Sequence, residues 1–249
     1  DNLLGVPSLR ASEEGTFGSV AAAGTASIPR PAVVNGDVLV AILGKNNAGS
    51  MSAPAGWTLI ESNNNTVGTN LWVGAWYRVV SNTNDEPVTY DFTNLDASAS
   101  NLSYWIGSFD NIDVSNPIEV AGTWEFTENW TDPGVAESLT TTNPNAYALA
   151  AWFSSNEGDM TTPGAPWTTL AEDVIVNGEN LSVSGQVVAA AGATGAAEVT
   201  GADGGDELHT IQIALRSAGP DFSSLDNFDL YAQRVVTRHE DAGPLSIAD

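Results

Sequence analysis

The sequence contains no cysteine and few side chains suited to catalysis. Without cysteine there can be no disulfide, thiolate metal site or thiol nucleophile. Histidine occurs twice, at His209 and His239, and this pair does not have the spacing of a zinc site. A Gly-x-Ser-x-Gly motif, which would mark a serine hydrolase, is also absent. We therefore expect a protein that is not an enzyme.

Basic residues are scarce, and the charge of the chain is strongly negative. Thirty-one Asp and Glu stand against seven Lys and Arg, and Lys45 is the only lysine, which gives a formal net charge of −24. Nucleic acid is excluded as a partner because binding it requires cations along the phosphates. The acidity favours a saline habitat, where salt screens self-repulsion, although an acidic protein from an ordinary habitat remains the alternative.

Long apolar runs are absent as well, so we expect no membrane insertion. Short runs rich in aromatic and β-branched residues are instead separated by clusters of Asn, Gly, Ser, Thr and Pro. The clearest runs are residues 37–43, 71–79, 88–92 and 102–109. This pattern predicts an all-β fold, as a sandwich or a barrel.

The second half of the sequence repeats the order of elements in the first half. The matched segments are 35–43 with 143–153, 54–59 with 164–170, 71–80 with 181–190, 88–89 with 199–200, and 102–109 with 208–215. A lone four-stranded sheet with one apolar face is only marginally stable, so two such halves are expected to pack face to face. We predict a jelly-roll-like antiparallel β-sandwich with two internally repeated halves, about 30–110 and 140–216.

The two ends of the chain differ from this central region, which we place at residues 16–217. Residues 1–15 are predicted to form an N-terminal arm, in which Leu3, Leu4 and Val6 make an apolar patch. Residues 218–249 are predicted to be a C-terminal extension with a short helix over 230–236. Arg234 and Arg238 suit the C-terminal end of such a helix and could meet an acidic neighbouring subunit; a tail folded back on its own chain is the alternative.

Five segments carry a resemblance to a known group of proteins: residues 36–41, 54–60, 75–79, 86–92 and 112–118. In this order they resemble the β-sandwich domains of phage and prophage virion proteins, and similar domains occur in secreted bacterial proteins. The resemblance covers roughly residues 16–217. It implies a lectin-like or jelly-roll domain displayed on a particle, in a tail, fibre or capsid-decoration role, and it brings no catalytic signature.

Two groups of residues are candidates for ligand binding. Trp124, Phe126 and Trp130, together with Asn129, could form a glycan platform if the rings are exposed; if the rings are buried, they belong to the core. Asp203, Asp206 and Glu207 offer oxygen ligands for calcium, although a solvated acidic loop explains them equally simply.

Four asparagines, Asn64, Asn101, Asn129 and Asn180, each begin an Asn-x-Ser/Thr sequon. In a chain this rich in Asn, Ser and Thr about that many arise by chance, so they mark only potential surface glycosylation.

The sequence as a whole predicts a virion structural protein, acting as a capsid-decoration, tail or fibre subunit in assembly, stabilisation or host-surface contact. Its expected partners are copies of itself, other virion proteins and host-surface glycans, and its expected location is the virion surface or the extracellular space. No cofactor other than calcium is expected. The alternatives are a secreted carbohydrate-binding or adhesin module, and an extracellular filament subunit whose N-terminal segment completes the next subunit's sheet.

Overall fold

A computed structural model describes residues 5–47, 49–66, 70–155, 158–201 and 207–219. The described part of the chain is all-β apart from a short 3-10 turn at Thr83–Asp85, which confirms that part of the predicted fold class. Its strands are β1 Ser8–Val20, β2 Thr25–Pro29, β3 Val38–Asn46, β4 Met51–Ser52, β5 Thr58–Asn64, β6 Leu71–Val79, β7 Thr89–Asn94, β8 Ser100–Asp110, β9 Ile118–Ala121, β10 Glu125–Glu128, β11 Gly134–Ala136, β12 Thr140–Thr141, β13 Ala146–Ser154, β14 Thr168–Val176, β15 Glu179–Val188, β16 Gly192–Ala193, β17 Ala197–Val199 and β18 Glu207–Leu215. None of the helical segments in these ranges has the length and apolar character needed to cross a membrane.

Two large antiparallel sheets form the centre of the molecule. The first follows the order β1-β8-β3-β6-β5, and the second follows β10-β18-β13-β15-β14, with β9 also paired to β18. The central strands β3 and β13 are apolar almost throughout and buried along nearly their whole length. A continuous apolar run of this kind, rather than an alternating one, is typical of a strand covered on both faces.

The two large sheets pack face to face over a shared apolar core. Val40 and Ile42 of β3 and Trp105 of β8 meet Leu149 of β13 and Ile213 of β18 in this core. The rings of Phe109 and Tyr147 lie 5.1 Å apart at one end of the interface. Side chains of both sheets thus bury each other, and apolar burial of this kind is the main contribution to fold stability.

Smaller sheets cover the outer face of each large sheet. The order β2-β7-β4 covers the first sheet and encloses a second core cluster that includes Trp72, Trp76 and Phe92. The pairs β11-β17 and β12-β16 accompany the second sheet, where a third core cluster includes Trp152 and Trp167. Each large sheet is therefore apolar on both faces, which explains why eight tryptophans can be accommodated in one chain.

The predicted N-terminal arm needs a correction, because β1 begins at Ser8 and continues without a break to Val20. Residues 8–15 therefore belong to the first sheet, where β1 pairs with β8 of its own chain. Arg10 fixes this edge through two hydrogen bonds to Asp37, of 2.8 and 3.1 Å. The boundary was missed because β1 is an edge strand with mixed polar residues and no clear alternation.

Several predicted terminal residues fall outside the described ranges. Val6 is half-buried, and its carbonyl accepts a hydrogen bond of 3.2 Å from Asn111 Nδ2. Leu3, Leu4, Arg234, Arg238 and the predicted helix lie outside the described residues.

Candidate binding cavity beside strand β10

A cavity of about 320 Å³ lies between β10, the loop that follows it, and strands β11 and β18. Its apolar walls come from Phe126, Trp130, Pro133, Val135 and Leu208, and its polar groups come from Glu125, Thr127, Thr131, Glu137 and Thr210. A partly apolar concavity with a few polar groups is the usual form of a small-ligand site.

The cavity is shaped by a close approach at Gly134. A Cβ atom at this position would lie 2.4 Å from Leu208 Cδ2 and 3.0 Å from Trp130 Cζ3. The carbonyl of Gly134 also accepts a 3.1 Å hydrogen bond from the indole Nε1 of Trp152. Only glycine allows β11 to lie this close to the second sheet, and this approach places the loop after β10 over the cavity.

The structure separates the predicted glycan-binding residues into different environments. Trp124 and Trp130 are only 3% and 2% exposed, so these two indoles are core residues and do not form an exposed platform. Trp130 nevertheless lines the cavity together with the half-buried Phe126. Asn129 is exposed in the turn after β10. Trp124 instead packs edge-on against His209 in the core between the large sheets.

The polar groups of the cavity are acidic or neutral. Thr210 Oγ1 donates a 3.0 Å hydrogen bond to the carbonyl of Val135, and Glu125 accepts one of 3.0 Å from Thr123 Oγ1. Glu137 is exposed and makes no side-chain hydrogen bond or ion pair with the described residues, and none of the described lining residues is basic. The indole Nε1 of Trp130 has no hydrogen-bond partner in the described part of the chain. This arrangement suits a neutral or cationic ligand and disfavours an acidic one.

His209 is a core residue. Its side chain is fully buried, and neither ring nitrogen has a hydrogen-bond partner among the residues that the structure describes. The ring of Phe126 lies 5.1 Å from the imidazole, and Trp124 lies 6.5 Å away. Burial lowers the pKa of His209 to about 4, so the ring is uncharged at neutral pH.

Three of the basic residues form close ion pairs within the first half. Besides Arg10, Arg78 binds Glu86 through two hydrogen bonds of 2.8 and 3.0 Å, and Tyr90 donates one of 2.7 Å to the same carboxylate. Burial and this hydrogen bond raise the pKa of Tyr90.

The single lysine is also held inside the fold. Lys45 is 1% exposed, and its Nζ lies 2.7 Å from Asp96 and 3.0 Å from the carbonyl of Asn47. Burial lowers the pKa of Lys45, while the contact with Asp96 opposes this shift. Sequence reasoning missed this pair, and the only signal was a lone lysine directly after a strongly apolar run.

Protein-family models, curated proteins and solved structures give no match to this chain. The likeness to phage virion domains therefore stays a resemblance of short motifs.

The predicted calcium ligands cannot be assembled from the described residues. Glu207 begins β18 and is 4% exposed, whereas Asp203 and Asp206 lie outside the described ranges. Within those ranges, no group of three or more His, Asp or Glu side chains is placed to hold a metal ion. Calcium binding at this loop stays a prediction.

Proposed function

We propose that this protein is a structural subunit of a virion surface, in a capsid-decoration, tail or fibre role. It would act through contacts with copies of itself and with other virion proteins. The observation that carries this proposal is that five of the six described basic and histidine side chains, all except Arg216, are held within the fold. Arg10, Lys45 and Arg78 bind carboxylates of their own chain, Arg30 donates to two backbone carbonyls, and His209 is buried.

The strand order supports a repeated jelly-roll architecture for this subunit. In the first half, the large sheet contains the order β1-β8-β3-β6 and its cover follows β2-β7-β4. This is the order produced by two Greek keys in a jelly roll, except that β5 pairs with β6. The second half has the corresponding order β10-β18-β13-β15, with β11 on β17 and a bridge between Thr161 and Thr200 in place of β4. We infer an internal repeat of two jelly-roll-like sandwiches packed back to back.

The charge of the chain indicates how such a subunit would assemble. Copies with a net charge of −24 repel one another at low ionic strength, and molar salt removes most of that repulsion. Repeated weak contacts between many copies would then give a stable array without a single tight interface.

Size-exclusion chromatography with light scattering, at low and at molar salt and with and without calcium, tests this function. The expected result is a discrete symmetric oligomer or a polymer, favoured by salt. A monomer under all four conditions would contradict the assembly role.

A carbohydrate-binding module is the second candidate, and the cavity beside β10 is the observation that favours it. The half-buried Phe126 supplies aromatic surface there, beside the almost fully buried Trp130, and Glu125 and Glu137 supply hydrogen-bond acceptors for sugar hydroxyls. Because the described lining includes carboxylates and no basic side chain, neutral and amino sugars would be preferred over sialic or uronic acids.

Screening of the full chain on a glycan array, followed by calorimetry, tests this candidate. Phe126→Ala should abolish binding. Phe17→Ala changes a half-buried phenylalanine on β1, an edge strand of the first sheet, and should leave binding intact. Equal loss in both variants would show that binding depends on general stability and not on the cavity.

The filament arrangement stays a prediction. In the structure β1 completes the sheet of its own chain, so donation to a neighbour would require it to leave β8.

A further inference from the structure

The four sequons fall into two groups that differ sharply in accessibility. The asparagine and the hydroxyl residue are both exposed in the sequons at Asn64 and Asn129. In the sequons at Asn101 and Asn180 the hydroxyl residues, Ser103 and Ser182, are fully buried. Sequence alone treats the four as equivalent, and only the fold separates them.

Asn180 is the most deeply enclosed of the four. It lies in β15 with no exposed surface, and its Nδ2 donates 2.8 Å hydrogen bonds to the carbonyl of Gly158 and to Asp173 Oδ1. A glycan on this nitrogen would have to replace one of these bonds and would have no route to solvent.

Asn101 is also unsuited to modification. It is half-buried in β8, its Nδ2 points to Glu179 at 3.4 Å, and its Oδ1 accepts a 3.2 Å hydrogen bond from Asn177. Both ends of the amide are therefore engaged.

Asn129 has the opposite properties. It is exposed in the turn between β10 and β11, with a left-handed φ of 53°, and its side-chain amide makes no hydrogen bond with the described residues. The following Thr131 is exposed too. An exposed side chain in a surface turn is accessible, so the amide can be reached by an incoming enzyme.

The side chain of Asn64 is also exposed, although one of its atoms is held by a hydrogen bond. It is exposed at the end of the edge strand β5, its Oδ1 accepts a 3.2 Å hydrogen bond from the amide of Gly49, and Thr66 is exposed. Within the described residues, Asn64 is held only through this oxygen, and its Nδ2 is the atom that would be modified.

We propose that Asn129 and Asn64 are N-glycosylation acceptors of the folded protein and that Asn101 and Asn180 are not. In the reaction the side-chain amide nitrogen forms a bond to the anomeric carbon of a lipid-linked oligosaccharide. The bond between that carbon and the lipid phosphate breaks, and the amide gives up one proton. This inference is independent of the choice between assembly and sugar binding.

The test uses the purified, unglycosylated full chain as acceptor for an oligosaccharyltransferase and its lipid-linked oligosaccharide donor. One sample is folded and the other is unfolded in the highest urea concentration that leaves the enzyme active on a control peptide. Peptide mass spectrometry after enzymatic deglycosylation in heavy-oxygen water then identifies each occupied site. The folded chain should be modified at Asn129 and Asn64 alone, and the unfolded chain should gain Asn101 and Asn180.

Variants separate the acceptor role from effects on folding. Thr131→Ser keeps the sequon and should retain modification at Asn129, whereas Thr131→Val should abolish it while leaving Asn64 modified. Modification of Asn101 or Asn180 in the folded chain would overturn the proposal. So would an unmodified Asn129 in a reaction that glycosylates the control peptide.

Discussion

Replacing His209 by leucine should remove a pH-dependent loss of stability that the native chain suffers between about pH 6.5 and pH 4. His209 has a pKa of about 4 in the folded protein, whereas an unfolded chain has the ordinary value of about 6.5. Between these two pH values the imidazole of His209 is protonated in the unfolded chain and uncharged in the folded chain. The stabilisation is therefore fully present above about pH 6.5 and is lost as the pH falls towards 4.

The size of the effect follows from the pKa difference. A shift of about 2.5 units corresponds to roughly 3 kcal/mol in total, of which about 2 kcal/mol is lost between pH 7 and pH 5. At pH 7 the leucine variant should be at least as stable as the native chain. The two ring nitrogens of His209 have no partner among the described residues, and burying such groups costs about 1–3 kcal/mol.

Urea unfolding at a series of pH values and constant salt measures this difference. The many carboxylates also titrate at low pH, but they do so in both proteins, so the gap between the two curves isolates His209. We expect the gap to widen by about 2 kcal/mol in favour of leucine from pH 7 to pH 5. Ile211→Val, which changes a buried residue of the same strand that does not titrate, should leave the pH dependence of the native chain unaltered. Parallel curves for His209→Leu and the native chain would refute the reasoning.

Three further substitutions test other parts of the fold. Glu86→Gln should lower the free energy of unfolding by roughly 2–3 kcal/mol because it leaves Arg78 without its carboxylate. Asp91→Asn, on the exposed face of β7, should change this free energy little, and urea titration compares the two variants. Trp167→Ala should cost roughly 3–5 kcal/mol because the indole is 6% exposed, and a thermal shift of only a degree or two would contradict its core position. Gly134→Ala should lower the free energy of unfolding by about 1–3 kcal/mol because the added methyl group meets Leu208. It should also weaken the affinity for any sugar found to bind, as measured by calorimetry. Unchanged stability would mean that β11 can move away.

The strands that the sequence predicted correctly are those whose own residues favour an extended conformation. β3, β6 and β8 combine apolar and β-branched residues with flanking turns, and each lies close to its predicted position. The covering strands β11, β12, β16 and β17 have only two or three residues each, so no periodicity could reveal them.

The candidate site was only partly foreseen, for a physical reason. Sequence placed Phe126 and Trp130 near one another, but whether an indole faces water depends on what covers it. Here the cover is β11, whose approach depends on Gly134 and Leu208, two residues far apart in the chain. Similarly, the ion pair between Lys45 and Asp96 joins distant segments, and neither residue type indicates burial by itself.

The burial of Lys45 has a practical consequence for chemical labelling. It is the only side-chain amine of the protein, and it is 1% exposed beside Trp72, which belongs to the core cluster enclosed by the sheet of β2, β7 and β4. Amine-reactive probes will therefore fail to reach it while the first half is intact. The rate of acylation at Lys45, measured by mass spectrometry, would therefore report how often that outer layer opens, without any engineered label.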